Sequence, residues 1–287
     1  MVILLAIVAA LGWGASDYFG GDASRREVPV FVVVALAELL GVVLLIPVLA
    51  VRGTPPPDDP RLLLGALAGL SVTVELSLIY RALGRGEAFI TAPTGALGAA
   101  AAVAFGLIGG DPIGVALTIG LVCALLGGAI TSWSSPDGAP RDRAAAWRAG
   151  ATCLAAGLAV AISLTALHAA GRLDPYWATA AEHLSTALSA ALAAAVAARR
   201  AWRSLVPSRT QWPGIAIVAV VGVGGDLAYT GASHTGALSI VSAISSLYPV
   251  TTIGLGRVLQ GHRATRVQLA GIVLALGGAA LLGAATR

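Results

Sequence analysis

The feature that most constrains this chain is a series of apolar runs, each about as long as a membrane is thick. A bilayer core of roughly 30 Å needs about 20 apolar residues for each helical crossing. The 287-residue chain is 57% hydrophobic and 11% charged, which is more apolar surface than one soluble core can bury. The sequence therefore predicts an all-α integral membrane protein rather than a soluble enzyme.

Ten such runs, bounded by charge, Pro or Gly, predict ten transmembrane helices joined by short loops. The predicted spans are Val2 to Gly20, Pro29 to Val51, Leu62 to Leu83, Ala88 to Ile108, Pro112 to Trp133, Ala144 to Ala170, Tyr176 to Ala198, Trp212 to Ala232, Leu238 to Gln260 and Val267 to Ala285. Most Trp residues lie at the ends of these spans, where an amphipathic ring prefers the headgroup layer. No loop is long enough to hold a soluble domain.

The two halves of the chain resemble each other at an offset of about 150 residues. The segment YRALGRGEA, which contains Tyr80, aligns with YTGASHTGAL, which contains Tyr229, and GGDPIG aligns with QGHRAT. This predicts two five-helix repeats, residues 1–134 and 144–287. With an odd number of spans per repeat, the second copy enters the membrane from the opposite side, and such inverted repeats are typical of secondary transporters.

Several segments resemble the EamA branch of the drug/metabolite transporter superfamily. They are DYFGGDASRR, YRAL, YTGA and above all SSLYPVTTIGLGRVLQGHRATRVQLAGIVLALGGAALL, and the resemblance covers nearly the whole chain. It implies a ten-helix carrier that exports or exchanges small metabolites by alternating access. Family members usually carry Glu in the loop before helix 10, where this chain has His262, whereas Asp111 precedes helix 5. The resemblance therefore implies no role for a loop carboxylate in the second half.

The distribution of Arg predicts the orientation of the chain in the membrane. The loops that follow odd-numbered predicted spans, here called the odd loops, hold most of the Arg residues, whereas the even loops hold only Arg52, Arg61 and Arg172. The positive-inside rule then places the odd loops in the cytoplasm and both termini outside. The family resemblance implies the reverse, with both termini cytoplasmic.

Acidic residues inside the predicted spans are candidate functional groups. An ionised carboxylate at the bilayer centre costs several kcal/mol unless it is neutralised, paired or facing water. Glu38, Glu75, Glu182 and Asp226 all lie inside spans. Glu75 and Asp226 lie at similar depth on equivalent helices of the two repeats, so we expect them to face one cavity. The alternative is that these acids are protonated and hydrogen-bonded between helices.

Aromatic residues accompany these acids. Tyr80 follows Glu75 and Tyr229 follows Asp226, which suits an amine-bearing or aromatic substrate through hydrogen bonds and cation–π contacts.

On the first helix, Trp13 and Asp17 are four residues apart and share a face. That face is expected to line the pathway. Plain helix packing, or pairing of Asp17 with Arg25 or Arg26, remains open.

The last candidates lie in predicted spans 7 and 9. Tyr248 precedes Pro249, which predicts a kink in span 9 that can turn a carbonyl toward a cavity. Arg257 either extends to the interface or pairs with a substrate carboxylate. Glu182 and His183 are adjacent and point in different directions on a helix, so a local polar contact is expected.

The sequence indicates no cofactor and no metal site. His168 and His234 lie near span ends and have no second ligand three or four residues away. A metal role is therefore not expected for either.

Together, these features predict a secondary transporter of a small organic solute such as an amino acid, an amine or a drug-like compound. The resemblance to the EamA family favours export, and proton-coupled antiport is chemically available. A membrane-embedded enzyme acting on lipid-linked substrates would be expected to show paired acids such as DxxD, which the chain lacks. A passive channel would not require matched carboxylates.

The expected location is the cytoplasmic membrane, with lipid and the solute as partners. No nucleic-acid partner is expected, because the Arg residues lie beside helix ends. A homodimer is allowed, but a monomer suffices.

Overall fold

The chain folds into helices joined by short connections. In the computed structural model, the described residues are 1–24, 29–84, 91–132, 143–197, 207–260 and 265–285, and no strand occurs among them. The α-helices are α1 (Val2–Ser24), α2 (Val30–Arg52), α3 (Leu63–Gly84), α4 (Thr91–Ile108), α5 (Val115–Ser132), α6 (Arg143–Gly171), α7 (Pro175–Ala197), α8 (Trp212–Ser233), α9 (Leu238–Ser245), α10 (Tyr248–Gln260) and α11 (Arg266–Ala285). A 3₁₀ turn, Pro60–Leu62, precedes α3. The predicted all-α class is confirmed.

The outer surface of the helices is apolar, as a lipid solvent requires. Within the described residues, seven segments are long and apolar enough to cross a membrane, and Thr94–Ile108 and Val115–Thr131 form shorter apolar helices. Large side chains such as Leu154, Val220 and Val273 are exposed, whereas Ala dominates the buried positions. The chain is therefore a multi-pass membrane protein with closely packed helices.

The ninth predicted span is broken in two. Helix α9 ends at Ser245 and α10 begins at Tyr248, and together they form one candidate crossing, Leu238–Leu259. Pro249 is the second residue of α10, where its missing N–H breaks no bond within that helix. The predicted kink is confirmed as a break before Tyr248.

Helices of the first half pack mainly against helices of the second half. Helix α1 packs along α8 as α6 packs along α3, while α2 pairs with α7 and α5 with α11. The counterparts of α1, α2, α3 and α5 in the second half are α6, α7, α8 and α11. When each helix is exchanged for its counterpart, the same set of pairs results. The two halves therefore interlock instead of lying side by side.

Glycines permit the closest of these contacts. A Cβ placed on Gly278 of α11 would lie 2.7 Å from the carbonyl oxygen of Gly120 and would also meet the backbone of Ala124, both on α5. Small residues let helix backbones approach in lipid, where dispersion contacts replace the hydrophobic drive for association. The α5–α11 pair is a contact of this kind.

Candidate functional site

An acidic cavity of about 370 Å³ lies at the centre of the bundle. Its wall contains five carboxylic acids from five different helices: Asp17 of α1, Glu38 of α2, Glu75 of α3, Glu182 of α7 and Asp226 of α8. Among the described residues that line it there is no Lys or Arg. The structure thus brings Glu75 and Asp226, from opposite halves, to one cavity.

The remaining wall is mostly apolar, with two aromatic side chains. Val33, Val72 and Leu164 are typical of it, and the aromatic residues are Trp13 and Tyr248. An apolar wall with a few polar groups is the usual composition of a small-molecule site.

Trp13 is fixed in place by Asp226. Its indole Nε1 donates a hydrogen bond of 2.7 Å to Asp226 Oδ1, and its ring packs against Tyr229 with centroids 5.2 Å apart. A Cβ at Gly225 would lie 2.8 Å from Trp13 Cδ1, so glycine at that position leaves room for the indole. The face of α1 carrying Trp13 and Asp17 does line the cavity.

His183 contacts acidic residues of three helices, α2, α7 and α8. The side chain is 1% exposed; its Nδ1 contacts Glu38 Oε2, and its Nε2 lies 3.2 Å from Asp226 Oδ2 and 3.8 Å from Glu182 Oε2. Gly41 makes this possible, since a Cβ there would lie 2.8 Å from Nδ1. Glu182 and His183 therefore belong to one cluster, although their adjacency suggested only a local contact.

The cluster contains a buried acceptor atom that lacks a hydrogen-bond partner. Glu182 Oε1 accepts a 3.0 Å hydrogen bond from Thr186 Oγ1, but Glu182 Oε2 has none. Donor atoms of Glu38, Glu182 and His183 lie within 4.8 Å of one another, close enough to share one cation. Buried acceptors normally have partners, so this end of the cavity is suited to a cationic ligand.

Asp17 and Glu75 form a second acidic group beside Tyr248. The two acids interact electrostatically with each other and with the Tyr248 phenol. The alternative partners of Asp17, Arg25 and Arg26, lie outside the described residues. Within the described part of the wall, this pair has no basic neighbour.

A smaller chamber of about 280 Å³ adjoins the main cavity. It shares Asp17, Ser246 and Tyr248 with the cavity and continues between α5, α10 and α11 as far as Gln268. The Tyr248 hydroxyl lies 2.9 Å from where a Cβ on Gly95 would be. The phenol and α4 thus form a narrow point between the two spaces.

Two of the expected site residues, Tyr229 and Arg257, are absent from the described lining of both spaces. The Tyr80 side chain lies outside the described residues. Tyr229 is fully buried behind Trp13 and donates its hydroxyl to the Leu164 carbonyl at 2.8 Å, so the expectation that it offers a hydroxyl to the cavity is wrong. Arg257 is exposed on α10 and is absent from the described lining of both spaces.

The even-loop end of the bundle is tied between the halves. Arg52 makes two hydrogen bonds to Asp174, of 3.0 and 2.9 Å, and lies 4.1 Å over the Tyr176 ring. Trp177 Nε1 donates to the Thr54 carbonyl at 3.1 Å. The cavity instead reaches Gly20 and Val30, at the odd-loop ends of α1 and α2.

The same tie determines the ionisation of Asp174. Burial opposes the charge, but the hydrogen bonds from Arg52 and from the Trp177 and Tyr176 backbone N–H groups outweigh it and hold the pKa below its usual value. The same carboxylate caps the first turn of α7.

A second link between the halves uses Asp111. Its Oδ2 accepts a 2.7 Å hydrogen bond from the Ser239 backbone N–H, at the start of α9. The first-half loop carboxylate noted in the sequence thus caps a helix of the second half. His262, its counterpart, lies outside the described residues.

Comparisons with known proteins support the fold and identify the family. A protein of known crystal structure superimposes with a TM-score of 0.81 over 100% of this chain and 97% of its own, at 18% identity, which supports the fold. No curated protein sequence matches the chain. The model of the EamA-like transporter family matches twice, over residues 1–133 and 148–284. Because these two matches cover almost the whole sequence, the chain belongs to the EamA-like transporter family.

Proposed function

We propose that this protein is a secondary transporter that exports a small amine-bearing solute across the cytoplasmic membrane by alternating access. Its ten spans are two inverted repeats, residues 1–134 and 144–287, and the central cavity is the substrate site. The observation that carries the proposal is the cavity wall, which contains five carboxylic acids and, among its described residues, no Lys or Arg.

The charge of the wall favours a cationic substrate. At 4 Å, two unit charges interact by about 4 kcal/mol at an effective dielectric constant near 20. An ammonium group entering this cavity is attracted by several carboxylates, whereas an anion is repelled by all of them. The Trp13 and Tyr248 rings add faces on which a cation can rest.

The same acids supply a way to couple transport to protons. Ionised carboxylates in the membrane interior must be compensated, either by a proton or by the cationic substrate. If a bound proton and a bound substrate exclude each other, the inward movement of protons drives the outward movement of the amine. We assign this exchange to Glu75 and Asp226, one from each repeat.

Transport by purified protein in liposomes tests the proposal. Labelled amines, amino acids and cationic dyes are pooled, and flux is measured with and without an imposed pH gradient. The variants are Glu75→Gln and Asp226→Asn, and the control is Asp58→Asn, which removes an exposed loop carboxylate. Melting temperatures in detergent verify that each variant is folded.

We expect gradient-dependent amine flux in the wild type and in Asp58→Asn, and a loss of at least tenfold in both cavity variants. Flux that is unchanged in the two folded cavity variants would reduce Glu75 and Asp226 to structural contacts. An absence of flux for every compound would contradict the transporter itself.

A further inference from the structure

The acids of the cavity fall into two groups. The outer pair is Asp17 and Glu75, beside Tyr248. The inner cluster is Glu38, Glu182 and Asp226, gathered around His183. Both groups line the same space.

Helix α1 contacts both groups. Trp13 is bonded to Asp226 of the inner cluster, and Asp17 of the outer pair is four residues, or about 6 Å of helix rise, further along α1. Asp17 and Tyr248 also line the adjoining chamber, which none of the three inner acids does. The two acidic groups therefore lie at different parts of the wall.

Each group lacks a full set of counter-charges. In the inner cluster, His183 can supply at most one positive charge to three acids, and the buried Glu182 Oε2 has no hydrogen-bond partner. Glu182 is only 5% exposed, so bulk water does not replace the missing partner. The outer pair has no basic neighbour within the described lining.

From this geometry we propose that the substrate is a small dication, a linear alkyl diamine with one ammonium at each acidic group. This inference rests on the proposed transport function and narrows its substrate class. The alkyl chain lies against the apolar wall, where Val33 and Val72 are typical residues.

The same argument disfavours zwitterionic amino acids. A substrate carboxylate would meet five acids and no Lys or Arg among the described lining residues. Arg257, which the sequence offered as a carboxylate partner, is exposed on α10 away from the described lining.

Three compounds of equal chain length test the charge requirement. Binding of 1,4-diaminobutane, 1-aminobutane and 4-aminobutanoate to the purified protein in detergent is measured by calorimetry at pH 7.5, where alkyl ammonium groups are protonated. The diamine is expected to bind at least tenfold more tightly than the monoamine, and the amino acid more weakly than either. Equal affinities for the diamine and the monoamine would overturn the proposal.

The spacing is tested by the length of the chain. Diamines with three to eight carbons, which carry two ammonium charges at pH 7.5, are expected to show an affinity optimum, because only one range of lengths places one ammonium on each of two fixed acidic groups. Affinity that rises steadily with carbon number would indicate apolar burial alone and would contradict two fixed sites.

A double variant assigns one ammonium to the outer pair. In Asp17→Asn/Glu75→Gln the affinity for the diamine is expected to fall to that of the monoamine, while monoamine binding at the inner cluster is retained; Asp58→Asn is the control. A diamine affinity that is unchanged in the folded double variant would refute the assignment.

Counterflow in liposomes separates this inference from the function on which it rests. Equal exchange of monoamine and diamine would overturn the proposal of a diamine substrate and leave the proposed transport function standing. An absence of exchange for all amines, in protein that is folded by its melting temperature, would overturn both.

Discussion

His183 holds together the polar interior of the bundle. It is 1% exposed and contacts acids on α2 and α8 as well as its own neighbour on α7. A buried charge pair contributes little net stability, but removing one partner leaves the other uncompensated. The residue therefore matters more to the integrity of the site than a single contact would suggest.

Replacing His183 with Gln is expected to destabilise the folded protein. Removing one partner of a buried ion pair costs about 3–5 kcal/mol, because Glu38 and Asp226 then lose the group between them. The melting temperature in detergent should fall by several degrees. His168→Gln is the matched control, since His168 is also buried but takes part in none of the ion pairs among the described residues. Equal melting temperatures for the two variants would show that the His183 contacts add no stability.

The site was only partly predictable from the sequence. Depth within apolar runs was enough to single out Glu75 and Asp226, and helical spacing to pair Trp13 with Asp17. The role of His183 was not predictable, because its partners Glu38 and Asp226 lie on two other helices and only tertiary packing brings them together. Tyr229 shows the converse, since its place one turn after Asp226 suggested a cavity residue, but α6 takes its hydroxyl.

The Arg52–Asp174 pair gives a pH-dependence with a definite sign. Because the pKa of Asp174 is lowered in the folded protein, the pair stabilises fully above the ordinary carboxyl pKa of about 3.9 and loses its effect as the pH falls through the lowered value.

We therefore expect the melting-temperature difference between the wild type and Asp174→Asn to be constant from about pH 5 to pH 8. It should shrink only in stronger acid. Asparagine retains an oxygen that can cap α7, so the variant isolates the charge. A difference that declines between pH 8 and pH 6 would contradict this assignment.

At the scale of helices, two adjacent glycines of α11 have opposite environments. A Cβ on Gly278 meets the backbone of α5, whereas a Cβ on Gly277 has no neighbour within 4 Å. Overpacking costs about 1–3 kcal/mol, while Gly→Ala in an open helical position gains up to about 1 kcal/mol.

Gly278→Ala is therefore expected to lower the melting temperature by several degrees, and Gly277→Ala to leave it unchanged or slightly raised. The two variants add the same methyl group one residue apart, so composition and hydrophobicity are matched. Similar melting temperatures would mean that α5 and α11 are not in close backbone contact.

Helix boundaries were predicted less well than helix existence. The fifth span was expected from Pro112, but α5 begins at Val115. The reason is tertiary, because Asp111 is directed to the Ser239 N–H of α9 and Gly110 turns the chain with φ at 96°. Pro249 marked the broken span, yet α9 ends at Ser245, and two residues separate it from the start of α10 at Tyr248.

At the scale of the whole molecule, the orientation prediction from charge is testable. Arg is concentrated in the odd loops, which by the positive-inside rule places the C-terminus outside. A reporter that fluoresces only in the cytoplasm, fused after Arg287, should then remain dark in intact cells. A bright signal would support the opposite orientation, which the family resemblance implied.

The interlocked halves have a consequence for how the protein is made. The main partner of α1 is α8, which begins at Trp212, long after α1 has left the ribosome. At roughly 5–20 residues per second, the wait is about 10–40 s. Throughout that time Trp13 and Asp17 sit in a newly inserted helix without Asp226 or the other cavity acids of the second half. During synthesis, these polar side chains must therefore be compensated in another way, by protonation, by water or by a temporary protein partner.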